Sequence, residues 1–105
     1  MATVRCEHND QRLYLILKAL GNPVRLQIVR YVQEHPRCIG NQIQLQLPDD
    51  VARAQSTLSQ HLKILRDAGV IEAECDGAAI CYMLNQHSLD WLREQLIDLA
   101  FLTTP

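Results

Sequence analysis

One stretch of the chain, AQSTLSQHLKILRDAGV, carries two distinct patterns of residues and runs from Ala54 to Val70. An α-helix turns by about 100° per residue, so Leu58, Leu62 and Leu65 fall together on one face. The other side carries short Gln, Ser and Thr side chains, where an ordinary surface helix would more often carry Glu and Lys. The pattern predicts a helix over residues 54–68 that packs against a core by its leucines and presents a polar face outward.

A β-hairpin is predicted immediately after this helix. Gly69 occupies the position at which a glycine commonly terminates a helix. Residues 71–75 and 80–84 have the composition and alternation of two short strands. The Asp76-Gly77 pair between them is typical of a tight turn. A helix followed directly by a short hairpin limits the architectures that the chain can adopt.

Three further helices are predicted upstream. The first carries apolar residues at i, i+3, i+4 and i+7 and ends at Gly21. Asn22-Pro23 is typical of a helix N-cap followed by proline at the first helical position, so a second helix begins there and stops at Pro36. A short third helix follows over about residues 41–46. The apolar series of the first helix consists of Leu13, Ile16, Leu17 and Leu20.

The last predicted helix, over about residues 88–102, repeats leucine at the spacing of a coiled-coil seam. Its seam positions are Leu89, Leu92, Leu96 and Leu99. These leucines and the apolar series of the first helix are called the apolar seams below.

Length and composition restrict the class of protein. A single domain over residues 1–105 is expected, since 48% of the residues are hydrophobic and the charged residues, 21%, are scattered along the chain. No apolar run approaches the roughly 18 residues that a membrane-spanning helix needs, and the N-terminus lacks the apolar segment of a secretion signal. A cytoplasmic protein without a membrane partner is therefore expected. The formal net charge of −2 weighs slightly against a nucleic-acid binder.

Four helices, a hairpin and a final helix follow one another in the order of a winged helix-turn-helix. We predict a mainly α (α+β) fold with about five helices and a two-stranded β-hairpin wing. The second helix of such a pair enters the major groove of double-stranded DNA. Gln can form two hydrogen bonds with adenine, Ser can contact bases or phosphates, and Lys and Arg can contact phosphates. The predicted DNA-binding residues, called the polar face below, are Gln55, Ser56, Thr57, Ser59, Gln60, Lys63 and Arg66.

A solvated surface is the competing interpretation of the polar face, and three features weigh against it: its Ser-Thr composition, its place after a turn, and the hairpin that follows. His61 lies on the apolar side of the same helix. It is predicted to be a packed histidine that supports the helix, in preference to a base contact.

Three stretches, GNPVRLQIVRYV, AQSTLSQHLKILRDAGVI and DGAAICYML, together resemble the ArsR/SmtB family of small bacterial winged-helix repressors. The resemblance covers roughly residues 13–100. It implies a homodimer joined through its first and last helices, which binds a palindromic operator and leaves it when a metal ion, metalloid or oxidant is sensed. The apolar seams agree, because a lone chain of 105 residues could bury only part of them; packing within one monomer is the competing interpretation. The resulting dimer-interface residues are Leu13, Ile16, Leu17, Leu20, Leu89, Leu92, Leu96 and Leu99.

The sequence departs from the metal sites that the resemblance implies. Where many members carry a Cys-x-Cys pair, this chain has Cys38 and then Gly40, and the positions matching the zinc ligands of the last helix are not ligands. One alternative combines Cys6, His8, His35 and Cys38 in a Cys₂His₂ set that suits tetrahedral zinc. Two surface histidines and two incidental cysteines are the competing interpretation. No cofactor is expected to be required. The expected effector is a zinc or arsenite-type ion.

The wing holds a second pair of thiols, Cys75 and Cys81, as candidates for a thiol-reactive effector. The alternation of the first strand predicts that Cys75 faces inward. In the favoured register Cys75 lies opposite Ile80 and Cys81 points to the other face, which makes a disulfide between them unfavourable. A shift by one residue would put Cys81 opposite Cys75 and permit a bridge or a shared arsenic.

Two features weaken the case for DNA binding. The wing tip, ECDGAAIC, is acidic and apolar, whereas wings that touch phosphates usually carry Arg or Lys. The turn LPDDVARAQ is several residues longer than the usual turn of the family, and Arg53 within it either contacts a phosphate or is solvated. A dimeric interaction module that kept the fold and lost DNA binding is therefore the alternative function.

An enzyme is not expected. The chain has no Cys-x-x-Cys pair, no glycine-rich phosphate loop and no paired carboxylates flanking a plausible cleft.

Overall fold

The computed structural model describes residues 8–103, with side chains described for residues 10–49 and 52–100. The helices Gly40–Gln44 and Gln55–Asp67 and the hairpin of strands Ile71–Asp76 and Ala79–Leu84 form a winged helix-turn-helix, so the predicted fold class is confirmed. The helices are α1 (His8–Leu20), α2 (Pro23–Glu34), α3 (Gly40–Gln44), α4 (Asp50–Arg53), α5 (Gln55–Asp67) and α6 (Gln86–Thr103). The strands are β1 (Cys38–Ile39), β2 (Ile71–Asp76) and β3 (Ala79–Leu84).

The boundary between α1 and α2 is set by the predicted cap. The side-chain oxygen of Asn22 accepts hydrogen bonds from the backbone N–H groups of Val24, at 2.9 Å, and Arg25, at 3.1 Å. These N–H groups have no partner inside the helix. Pro23 occupies the first helical position, where its lack of an N–H group leaves no donor unpaired. The cap therefore fixes the residue at which α2 begins.

The long turn between α3 and α5 contains a helix of its own, α4, which the sequence interpretation did not predict. The carboxylate of Asp49 accepts a hydrogen bond from the backbone N–H of Ala52 at 2.8 Å. The side-chain amide of Gln44 donates to the carbonyl of Arg53. The guanidinium of Arg53 donates to the carbonyl of Leu47 at 3.3 Å. Arg53 thus closes the turn on itself and does not project as a solvated side chain.

The wing belongs to a three-stranded antiparallel sheet with the order β1-β3-β2, not to a two-stranded hairpin alone. Cys38 pairs with Tyr82, so β1 ties the segment before α3 to the wing. The register of the hairpin is the favoured one, with Cys75 opposite Ile80 and Cys81 opposite Glu74. The prediction that Cys75 faces inward is wrong, because Cys75 is exposed at the outer end of the wing.

The core forms where the aliphatic face of α5 meets α1, α2 and the sheet. Leu58, Leu62 and Leu65 are buried there, as predicted. Ile16 of α1 and Leu92 of α6 lie in the same core, so the single chain already covers these two members of the apolar seams.

Helix α6 is attached to the body by its N-terminal half. The guanidinium of Arg12 on α1 donates to the hydroxyl of the buried Ser88 at 3.2 Å and lies 4.1 Å from the centre of the Trp91 ring. Residues 96–100 of α6 are all exposed, including Leu96 at 43% and Leu99 at 46%. None of the described helices is long and apolar enough to cross a membrane.

Candidate nucleic-acid interface

The two sides of α5 differ in burial as its sequence pattern indicates. The leucine face is buried, and Thr57, at the border between the two sides, is half-buried. The remaining residues of the polar face are exposed: Gln55, Ser56, Ser59, Gln60, Lys63 and Arg66. A helix held by one face therefore presents the other, rich in amides and hydroxyls, at the surface.

Both ends of α5 are defined by local backbone geometry. Gly69 follows the helix with φ of +79°, a left-handed conformation that glycine adopts at little cost, and the N–H of Val70 bonds the carbonyl of Leu65 at 2.9 Å. At the other end the capping residue is Ala54, whose side chain cannot accept a hydrogen bond. The first turn of α5 is therefore not capped by the Ala54 side chain, and its N–H groups carry the positive end of the helix dipole.

A groove of about 170 Å³ runs along α5 beside α3. Gln55, Ser59 and Arg66 of the polar face line it, together with Asn41 at the start of α3. A second depression continues from Asn41 and Gln55 to the wing residues 78–80. The structure thus brings three residues of the polar face, α3 and the wing together around one surface. Sequence reasoning missed Asn41, since its position beside α5 depends on how the two helices cross.

The basic residues of the polar face differ in their surroundings. Lys63 pairs with Asp67 one turn along the helix at 2.7 Å, with both side chains largely exposed. Such an exposed pair contributes little to stability and exchanges easily for another anion. Arg66 is exposed and lines the groove. The surface therefore carries two cations on the C-terminal half of α5.

The acidic wing has a cation that sequence reasoning did not identify. Arg37, which adopts a positive φ of 63°, lies 3.5 Å from the Glu74 carboxylate and 3.8 Å from that of Asp76. All three side chains are about half exposed or more, so these pairs are weak. They nevertheless place a positive charge beside the wing carboxylates and reduce the local negative charge.

His61 packs behind the polar face, as predicted. Its ring nitrogen Nδ1 lies 3.3 Å from a terminal nitrogen of Arg25 on α2. Burial and, to a smaller extent, the positive charge of Arg25 hold the pKa of His61 below 6.5. The ring is therefore neutral near pH 7, and it is half-buried on the side of α5 opposite the polar face.

The proposed Cys₂His₂ site lies partly outside the described residues, namely Cys6 and the side chain of His8. The thiol of Cys38 is buried and lies 4.0 Å from the Tyr82 carbonyl, and burial raises its pKa above 9.0. The exposed His35 ring stacks on that of Tyr31, with centroids 4.1 Å apart. Within the part of the chain that is described, no group of three or more His, Cys, Asp and Glu residues could hold a metal ion. The metal site stays a prediction.

The two wing thiols lie on opposite faces of the hairpin and form no disulfide. Cys75 is exposed, whereas Cys81 is buried with its sulfur 3.9 Å from the Asp76 carboxylate. A reagent in solution can therefore reach Cys75 without any change in the fold, and Cys81 only after the wing is disturbed.

The apolar seams leave hydrophobic surface on α1 and α6. Leu13, Leu20 and Leu89 are half-buried against the core. Leu17, at 40%, is exposed like Leu96 and Leu99, and the neighbouring Tyr14 and Ile97 are more exposed still. Apolar surface of this extent on two helices is what an interface with another molecule would cover.

Comparison with known proteins identifies a matching family. The family described as bacterial regulatory protein, arsR family, matches residues 22–73, from the cap of α2 into β2. An HTH-type transcriptional repressor, SmtB of Mycobacterium tuberculosis, is 40% identical over 74 residues. These residues cover 70% of this chain and 51% of that repressor. The chain thus spans about half the length of this relative.

Solved structures share the fold. An ArsR-like transcriptional regulator from Rhodococcus sp. RHA1 gives a TM-score of 0.77 at 19% identity, over 90% of this chain and 84% of the other. A homodimeric winged helix-turn-helix DNA-binding domain from Mycobacterium bovis, part of a possible ArsR-family transcriptional regulator, gives 0.64 at 21% identity. That match covers 100% of this chain and 94% of the other.

Proposed function

Because the chain belongs to the ArsR family of bacterial regulatory proteins, we propose that it is a homodimeric transcriptional repressor that reads an operator in double-stranded DNA with α5. This family consists of regulators and not of enzymes. We place the protein in the cytoplasm, where bacterial DNA lies. We also propose that residues 1–105 form a single DNA-binding domain.

One observation carries the proposal: the polar face of α5 is exposed while its leucine face is fixed in the core. A major groove about 12 Å wide admits one helix, and its floor is a pattern of hydrogen-bond donors and acceptors. Gln55, Ser56, Ser59 and Gln60 offer matching groups on the first two turns of α5. The N-terminal end of the helix favours a nearby phosphate, and Lys63 and Arg66 supply phosphate contacts further along.

Dimerisation is proposed from the uncovered hydrophobic surface of α1 and α6. Leu17, Leu96 and Leu99 are exposed in the single chain, and the last two lie in a stretch of α6, residues 96–100, in which every residue is exposed. A second copy related by a twofold axis would cover the same surface on both chains. Two copies of α5 would then face successive major grooves, about 34–36 Å apart, and match a palindromic operator.

The described thiols differ in how they could respond to an effector. Cys75 is exposed, whereas Cys38 and Cys81 are buried. The thiolate is the reactive form, and the raised pKa of Cys38 opposes its formation. A thiol-reactive effector should therefore reach Cys75 first. Zinc binding by Cys6, His8, His35 and Cys38 is the alternative event that would release the protein from DNA.

The test of DNA binding is selection of bound duplexes from a random library with reduced protein, with and without zinc and arsenite. An enriched palindrome is the expected result, and its loss with one additive would identify the effector class. The affinity should fall as salt rises, because phosphate contacts release counterions. No enrichment, together with affinity indifferent to salt, would overturn the proposal in favour of an interaction module. Promoter activity that rises on binding would contradict repression.

Variants of the polar face make the test specific. Ser56→Ala and Gln60→Ala should each weaken operator binding by about 1–3 kcal/mol, because each removes one hydrogen-bonding group from the face of α5 that is proposed to enter the major groove of the DNA. Gln33→Ala, which changes an exposed glutamine on α2, is the matched control and should bind as the unchanged protein does. Dimer mass and melting temperature should stay the same in all three. Equal affinity in all of them would mean that the polar face does not contact bases.

A further inference from the structure

The side chain of Arg25 connects three helices behind the polar face. Its Nε donates to the carbonyl of Ala19 at 2.6 Å, and one terminal nitrogen donates to the carbonyl of Lys18 at 3.3 Å. The other terminal nitrogen lies 3.3 Å from Nδ1 of His61 on α5. One guanidinium on α2 thus contacts both the end of α1 and the inner side of α5.

The contacts with α1 suit the chemistry of a helix end. The last carbonyls of a helix have no partner within it and carry the negative end of its dipole, so a cation that donates to two of them is well placed. Arg25 is itself held, since its backbone N–H is bound by the cap residue Asn22. The planar guanidinium presents its donors in a fixed fork. A lysine at this position could not meet all three acceptors at once.

The contact with α5 defines the state of His61. Every nitrogen of an arginine side chain is a donor, so Nδ1 of His61 must accept. The ring is then neutral, with its proton on Nε2. His61 directly follows Gln60 of the polar face and lies one turn after Thr57. A shift of the His61 ring would therefore move the part of α5 that bears the side chains proposed to contact bases.

We propose that Arg25 and His61 are positioning residues for DNA recognition, which fix the polar face of α5 to the C-terminal end of α1. This inference rests on the proposed function. Helix α1 carries part of the proposed dimer surface, so the link sets the angle of α5 relative to the twofold axis. A dimer needs that angle to be the same in both chains if two copies of α5 are to enter successive grooves together.

A double-mutant cycle on the full chain tests the link. Arg25→Lys keeps the charge and removes the fork, and His61→Leu removes the acceptor while filling the space. Each should weaken binding to the selected palindrome by about tenfold or more. The double variant should bind the palindrome no more weakly than the single variant with the lower affinity. Such non-additive losses correspond to a coupling of about tenfold, or about 1.4 kcal/mol. His61→Asn, whose amide oxygen can accept near the position of Nδ1, should recover most of the affinity.

Controls separate positioning from folding and from loss of charge. Arg30→Ala removes an exposed positive charge from the same helix, and His87→Leu removes an exposed histidine; both should bind the palindrome normally. Affinity for a random duplex and dimer mass should change little in any variant. Additive losses, no rescue by His61→Asn, or losses that merely follow the fraction of unfolded protein would overturn the link. Wild-type protein that binds no duplex would instead overturn the proposed function.

Discussion

Leu96→Ala is the substitution that tests dimerisation most quantitatively. Leu96 is 43% exposed in the single chain and lies in the exposed stretch of α6 over residues 96–100. Burying a whole leucine side chain contributes about 1.5–3 kcal/mol, so burying its exposed part in an interface contributes roughly 0.6–1.3 kcal/mol. A twofold interface contains the residue twice. The substitution should therefore weaken the dimer by roughly 1–2.5 kcal/mol, which is about 5- to 70-fold in the dissociation constant.

Sedimentation equilibrium over a series of protein concentrations measures this dissociation constant. Leu45→Ala is the control, because Leu45 is 75% exposed but lies beyond α3, away from the apolar seams. It should leave the dimer unchanged, and circular dichroism should show both variants folded. The reasoning is refuted if Leu96→Ala dimerises as tightly as the unchanged chain, or if Leu45→Ala weakens the dimer equally.

Three further predictions follow from single contacts. Asn22→Ala removes the cap of α2, so urea unfolding should show a loss of about 1 kcal/mol; an unchanged free energy of unfolding would contradict the cap. The pKa of His61 is lowered on folding, so the unfolded chain binds the proton more readily; stability should be complete above about pH 6.5 and fall as the pH drops through the folded pKa. His61→Asn should reduce that slope, and an identical slope would refute the assignment. Iodoacetamide should modify exposed Cys75 well before buried Cys38, as peptide mass spectrometry of the native protein would show; equal rates would contradict the burial.

The parts of the fold that the sequence predicted correctly are those set by local patterns. The burial of Leu58, Leu62 and Leu65 follows from their helical spacing, and the end of α5 follows from Gly69, which adopts a positive φ. The hairpin register followed from matching its apolar positions, because a one-residue slip would move every side chain to the other face. Each of these features depends on residues that lie within a single helix or a single hairpin.

The features that were missed depend on contacts between distant segments. Strand β1 is only two residues long, too short for a pattern, and exists because Cys38 pairs with Tyr82 of β3. Alternation predicted that Cys75 faces inward, but it could not show that the core ends before the outer end of the wing, where Cys75 is exposed. The link from Arg25 to His61 requires the start of α2 and the middle of α5 to meet, which no local pattern in the sequence indicates.

The base preference of the Gln60→Ala variant shows whether the polar face of α5 reads bases. Selection from a random duplex library would be repeated with this variant, and its preference at each operator position compared with that of the unchanged protein. If the polar face of α5 reads bases, the variant should lose its preference at one position in each half-site and keep it elsewhere. An unchanged preference at every position would contradict the claim that Gln60 and its neighbours enter the major groove.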